Sequence, residues 1–99
     1  MFIALYKWRI DPEKEADFIA AWSEVTLYYK ENHGSSGSRL HKGSDGLFYG
    51  YAKWKTEELR MRAFAANDAA VSSAGKRMAD AIEERFPEVV LETVADYIV

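Results

Sequence analysis

The sequence has no cysteine and only two prolines and six glycines in 99 residues. Without cysteine there is no disulfide framework, no thiol nucleophile and no thiolate metal site. With so few prolines and glycines, each one that falls between patterned segments is informative punctuation. No apolar run approaches the roughly 20 residues of a membrane-spanning helix. The opening Met1-Phe2-Ile3-Ala4-Leu5-Tyr6-Lys7 lacks the basic head and small-residue cleavage site of a signal peptide. Thirteen basic against sixteen acidic residues leave a net charge of −3, so no excess of positive charge attracts nucleic acid or an anionic membrane. These absences predict a cytoplasmic protein with neither of those partners.

What is present is apolar and aromatic. Hydrophobic residues make up 48% and aromatic residues 14%, enough for one domain over residues 1–99 with a thin core, a size that commonly gains stability by association. Residues 2–10 alternate as a strand, with Phe2, Ala4, Tyr6, Trp8 and Ile10 on the face expected to be buried. Asp11-Pro12 supplies a cap and a first-turn proline, with Glu13 and Glu15 at the favourable end of the dipole. A helix follows, in which Phe18, Ile19, Trp22, Val25, Thr26 and Tyr29 form one stripe that ends near Asn32-His33-Gly34.

Residues 34–54 read as a β-hairpin around Asp45-Gly46. A two-residue type I′ turn there pairs Ser44 with Leu47, Lys42 with Tyr49, His41 with Gly50 and Arg39 with Ala52. In that register Arg39, His41, Phe48, Ala52 and Trp54 share a face with an empty slot at Gly50, and Leu40, Lys42, Leu47, Tyr49 and Tyr51 share the other. Thr56 is a plausible N-cap, and helical spacing extends through Asp68–Phe86 to Pro87, as one helix or two. Residues 89–99 are rich in β-branched side chains and read as a final strand.

The order strand, helix, strand, strand, helix, strand predicts a ferredoxin-like βαββαβ α+β sandwich, an antiparallel sheet with helices on one face. The other face, with Ile3 and Leu5, and with Leu40, Leu47, Tyr49 and Tyr51 if that side of the hairpin lies there, calls for a cover, which predicts a homodimer through the sheet.

Several segments resemble the antibiotic biosynthesis monooxygenase-like family of dimeric α+β barrel proteins: Phe2-Ile3-Ala4-Leu5-Tyr6, the Asp11-Pro12-Glu13-Lys14-Glu15 entry leading to Phe18 and Trp22, Gly34-x-x-Gly37-Ser38-x-Leu40, and Tyr51-Ala52-Lys53-Trp54-Lys55-Thr56. The resemblance implies a dimeric α+β barrel and, for some members, oxidation of aromatic polyketide or quinol substrates by molecular oxygen with no cofactor. Other members degrade haem, using an asparagine, a tryptophan and a histidine. Ungapped alignment places Tyr6, Ala63 and Ser73 at those positions, which argues against haem. Members also commonly carry a glutamate where this chain has Ala52.

On this basis His41 is the candidate base, Arg39 the candidate stabiliser of the resulting oxyanion, and Tyr6, Trp22 and Phe48 the candidate pocket wall for a small aromatic ligand. The plain alternatives are a partly exposed strand histidine and ordinary aromatic packing. His33 fits a helix C-cap, and the two histidines show no metal-ligand spacing with Glu24, Glu31 or Asp45. No cofactor and no metal are expected. Two non-enzymatic readings stand beside this one: a ligand-binding or accessory dimer, and an RNA-recognition domain stacking bases on Tyr49 and Tyr51. The acidic balance and the missing third-strand consensus count against the latter.

Overall fold

The computed structural model describes residues 1–98. The chain runs β1 (Phe2–Ile10), α1 (Glu15–Asn32), β2 (Ser35–Lys42), β3 (Phe48–Trp54), α2 (Glu57–Ala65), α3 (Ala69–Ala81), β4 (Ile82–Arg85) and β5 (Val89–Leu91). Every strand pairing is antiparallel, in the order β2-β3-β1-β4, with β5 also paired to β1. This is the ferredoxin-like α+β arrangement, in which the central strand β1 pairs with β3, β4 and β5.

On β1 Ala4, Trp8 and Ile10 are buried on the expected face, and Ile3 is buried on the opposite one. The Asp11 carboxylate accepts a hydrogen bond from the Glu13 amide at 3.0 Å and Pro12 opens a short 3-10 turn into α1, so a cap and a fixed φ launch the helix together. Phe18 and Ala21 on α1 are fully buried. Phe18 meets Trp8 edge-on at 5.3 Å and Phe48 at 5.7 Å, geometries that ring quadrupoles favour. At the other end His33 caps α1 through its backbone N–H to the Tyr29 carbonyl, and its Nε2 lies 2.6 Å from the carboxylate of Asp68, just before α3. The expected capping residue therefore also ties two helices.

The hairpin register differs from expectation by one residue. Lys42 pairs with Phe48, His41 with Tyr49, Leu40 with Gly50 and Arg39 with Tyr51. The turn has three residues, Ser44-Asp45-Gly46, closed by the Gly43 amide on the Leu47 carbonyl at 2.7 Å, and Gly46 alone in it takes positive φ, +82°. This is a type I turn followed by a left-handed glycine, a loop that uses Asp-Gly as readily as type I′ does. A slip of one flips every side chain on β2 to the opposite face. Leu40 and Lys42 thus face the helices, where Lys42 pairs with Glu15 of α1 at 3.1 Å. Arg39 and His41 join Tyr49 and Tyr51 on the outer face, beside Ile3, Leu5 and Lys7 of β1.

Two further corrections lie downstream. The helical segment expected to reach Phe86 is two helices, broken at residues 66–68 where Asn67 has φ +55°, and it ends at Ala81. Ile82–Arg85 instead pairs as β4 with Trp8–Ile10, satisfying backbone groups along the edge of β1. Of the expected final strand only Val89–Leu91 pairs, with Ile3–Leu5. Residues 92–98 form no strand, and Val99 lies outside the described residues. No described helix is long and apolar enough to cross a membrane.

The turn assignment predicts that Gly46→Ala lowers stability by about 1–2 kcal/mol, the cost of left-handed backbone for a residue with a Cβ. Asp45→Gly should not stabilise, because Asp45 holds the Leu47 amide and the Tyr49 hydroxyl. Urea denaturation of both variants reads this directly. A stabilising Asp45→Gly would restore the two-residue turn.

Candidate functional site

Along α1 the apolar stripe passes over two kinds of floor. Under Phe18 the sheet presents Trp8, Ile10 and Phe48, and the gap fills. Under Trp22, Val25, Thr26 and Tyr29 it presents Gly50 and Ala52, and it does not. The result is a cavity of about 360 Å³ between the sheet, α1 and α2, at the small end of the range of roughly 300–1,000 Å³ for small-molecule sites. Its walls are Tyr6, Trp8, Trp22, Tyr29, Trp54 and Phe64, and Met78 of α3 also lines it. Tyr6 stacks on Trp8 with 8° between the planes, while Phe64 leans on Tyr29 at 5.6 Å and Trp54 at 6.3 Å. A Cβ at Gly50 would sit 2.9 Å from the Trp8 ring and 3.7 Å from the Trp22 indole nitrogen. The slot that the sequence leaves open at Gly50 is taken up by the Trp8 ring, which lies against the bare backbone there.

Polar groups enter this wall at few places. Ser35 and Ser38 both line the cavity although three residues apart, because a bulge at the Ser35–Gly37 step of β2 restores them to one face. Thr26 adds a hydroxyl from α1. The Tyr6 hydroxyl accepts a hydrogen bond from Arg60 Nη1 of α2 at 3.1 Å, and the same nitrogen donates to Glu88 Oε1 at 2.9 Å. Burial pushes the Tyr6 hydroxyl above its ordinary pKa of 10.0, the Arg60 bond and charge pull it partly back, and Glu88 raises it. Tyr29 is raised as well, chiefly by burial. Both phenols are neutral donors near neutral pH. Among the described residues the lining contains no carboxylate and no imidazole, and no cluster of metal-ligating side chains occurs.

Of the residues expected at the site, Tyr6 and Trp22 line the cavity. Phe48 is core, 2% exposed, and borders a second, more open groove of about 440 Å³ beside β2, which Trp22, Arg39 and His41 also line. The expectation that Arg39 and His41 share a face with Phe48, Ala52 and Trp54 is corrected by the one-residue register difference. Their pairing partners Tyr51 and Tyr49 point to the outer face, and both residues are exposed. Arg60, Phe64, Ser38 and Thr26 were not singled out as site residues from the sequence. Arg60 and Phe64 stand four apart on α2 and so share a helix face, a signal that a search for polar and aromatic pairs beside Trp54 could have used.

No family profile matches the sequence, and no curated protein matches it. The fold does have solved counterparts. It is similar to SnoaB, a cofactor-independent oxygenase from Streptomyces nogalater solved as the N63A variant, with TM-score 0.79 and 10% identity over 97% of this chain and 95% of that one. It is similar to a Bordetella bronchiseptica protein classed with the antibiotic biosynthesis monooxygenases, with TM-score 0.78 and 19% identity over 95% and 97% of the two chains. Rv0793 from Mycobacterium tuberculosis gives TM-score 0.77 and 8% identity over 98% of both. At these identities the likeness is one of fold, and at that level the resemblance read from the sequence holds.

Two outcomes follow from the site geometry. Gly50→Val forces a side chain into the Trp8 ring and should cost about 1–3 kcal/mol in denaturant unfolding, and an unchanged midpoint would mean that Trp8 moves freely. A tyrosine whose folded pKa is raised contributes its stability in full below pH 10 and loses it as pH climbs from 10.0 toward the folded value. The stability of the native sequence relative to Tyr6→Phe should therefore be flat up to about pH 10 and decline above it.

Proposed function

We propose that the protein, sharing the fold of the antibiotic biosynthesis monooxygenases, is a cofactor-independent monooxygenase acting with molecular oxygen on a small aromatic or quinol-like molecule held between the sheet and α1. The observation that carries this is the aromatic-walled cavity lined by Tyr6, whose hydroxyl takes a hydrogen bond from Arg60 and keeps its own proton to give. Flat rings fill such a wall, and a phenolic or enolic oxygen of the bound molecule reaches the Tyr6 proton. As that oxygen ionises, Tyr6 stabilises the developing charge, and the electron-rich carbon conjugated with it reduces oxygen. For an activated methylene the balance is complete without a co-reductant: one oxygen atom becomes the carbonyl, the other leaves as water, and the four electrons and two hydrogens come from the substrate. We further propose that the protein works as a homodimer joined through the outer sheet face, where Leu5, Tyr49 and Tyr51 are only half-buried.

A second reading, a ligand-binding or accessory dimer, is favoured by one feature. Among the described residues the cavity lining offers no imidazole or carboxylate to take the substrate proton. If the protein is an oxygenase, ionisation belongs to the substrate, and turnover rises with pH along the substrate's own phenol titration rather than through a step near 6.5.

Oxygen uptake by metal-stripped protein with a panel of anthrones and naphthohydroquinones separates the readings, with light-scattering mass on the same sample. We expect uptake above the uncatalysed rate from a dimer, lowered about tenfold to a hundredfold by Tyr6→Phe through loss of one donor to the oxyanion. His41→Ala should leave turnover unchanged. Saturable binding without uptake would replace the oxygenase with the binder. Loss of turnover in His41→Ala but not in Tyr6→Phe would move the chemistry to the outer face.

A further inference from the structure

Tyr6 meets its neighbours with a fixed polarity. A guanidinium has donors and no acceptor, so the Arg60 bond at 3.1 Å occupies a lone pair of the Tyr6 oxygen. The phenol proton is left to be given elsewhere, and among the described residues no side chain accepts it. Arg60 is itself tightly placed. Its side chain is 13% exposed, its guanidinium lies 4.8 Å from the Phe2 ring and 5.4 Å from Phe64, and its Nε is buried without a partner.

The residue that anchors it depends on a break in the sheet edge. Trp8 pairs with Arg85 and Leu5 with Val89, so Phe86, Pro87 and Glu88 stand opposite only Tyr6 and Lys7. Phe86 still donates its amide to the Lys7 carbonyl at 3.1 Å. Pro87 has no amide to donate, and the extra residue bulges the strand. Glu88 emerges there with its carboxylate 2.9 Å from Arg60 Nη1.

We propose that Arg60, anchored by Glu88, is a positioning residue that holds Tyr6 as a hydrogen-bond donor, so that the cavity selects flat aromatic molecules bearing a carbonyl or oxyanion oxygen: quinones, phenolates and enolates. This rests on the cavity reading above and narrows it to a ligand class. The guanidinium charge polarises the Tyr6 O–H and strengthens the bond it gives. Burial keeps the phenol from ionising, so the proton stays available. Arg60 acts through Tyr6 and does not line the cavity itself.

Equilibrium dialysis with 1,4-naphthoquinone, which only accepts, and naphthalene, which has no polar atom, tests this without reference to turnover. The native protein should bind the quinone about tenfold or more tightly than the hydrocarbon. Tyr6→Phe should abolish that preference while leaving naphthalene binding in place. Arg60→Met should lower it, Arg60→Lys should recover part of it, and Arg60→Met should have no further effect in the Tyr6→Phe background. Circular dichroism checks that each variant is folded, and Glu88→Gln gives a milder probe should Arg60→Met unfold, expected to reduce the preference. A preference unchanged in both folded Arg60→Met and Glu88→Gln, or no preference in the native protein, would overturn the proposal. Binding of neither compound would overturn the cavity reading as well, whereas quinone-selective binding without oxygen uptake would leave this proposal standing and remove only the oxygenase.

Discussion

The site depends on the absence of side chains at the middle of β3. Gly50 and Ala52 leave the sheet floor low beneath the C-terminal half of α1, while Phe48, two residues earlier on the same face, fills the space under Phe18. One helical stripe is therefore core at one end and cavity wall at the other. Interiors are packed to near-crystalline density, so a void of this size persists only where rigid groups hold its rim apart. Here the rim is aromatic. Tyr6 is stacked on Trp8, and Tyr29, Trp54 and Phe64 brace one another across α1, β3 and α2. Large planar rings with few rotamers keep the space open better than flexible aliphatic chains would.

The electrostatics follow from the same arrangement. A cavity this apolar raises the cost of any charge within it, and the Arg60–Glu88 ion pair is set behind Tyr6, where the Glu88 carboxylate is partly solvated and Arg60 is cushioned by two aromatic faces. The phenol is the interface between that pair and the interior. It brings the influence of a cation to the cavity without placing the cation inside.

Much of the fold was legible in the sequence because it is written in local patterns. The alternation of β1, the Asp11-Pro12 entry and the α1 stripe each depend on residues within a few positions of one another. The hairpin register was not, because Asp-Gly serves two loops that differ by one residue, and that one residue decides whether His41 faces the helices or the outer surface. The end of α3 was missed for a different reason. Ala81, Ile82 and Arg85 suit a helix locally, and only the open edge of β1 turns Ile82–Arg85 into a strand. Within the site, Tyr6 and Trp22 could be reached from periodicity. Arg60 and Glu88 are 28 residues apart and meet only after a helix, a strand and a bulge have been placed, so no pattern in the sequence joins them.

On the proposed reading, ligands enter on the helix side of the sheet. All three tryptophans of the chain line the cavity, and neither histidine does. Titrating 1,4-naphthoquinone into isotope-labelled protein and following the indole N–H and histidine ring resonances by NMR tests this directly. The account predicts that the indole signals of Trp8, Trp22 and Trp54 shift together and saturate while the His41 ring stays still. Movement of the His41 ring with the three indoles unmoved would contradict it.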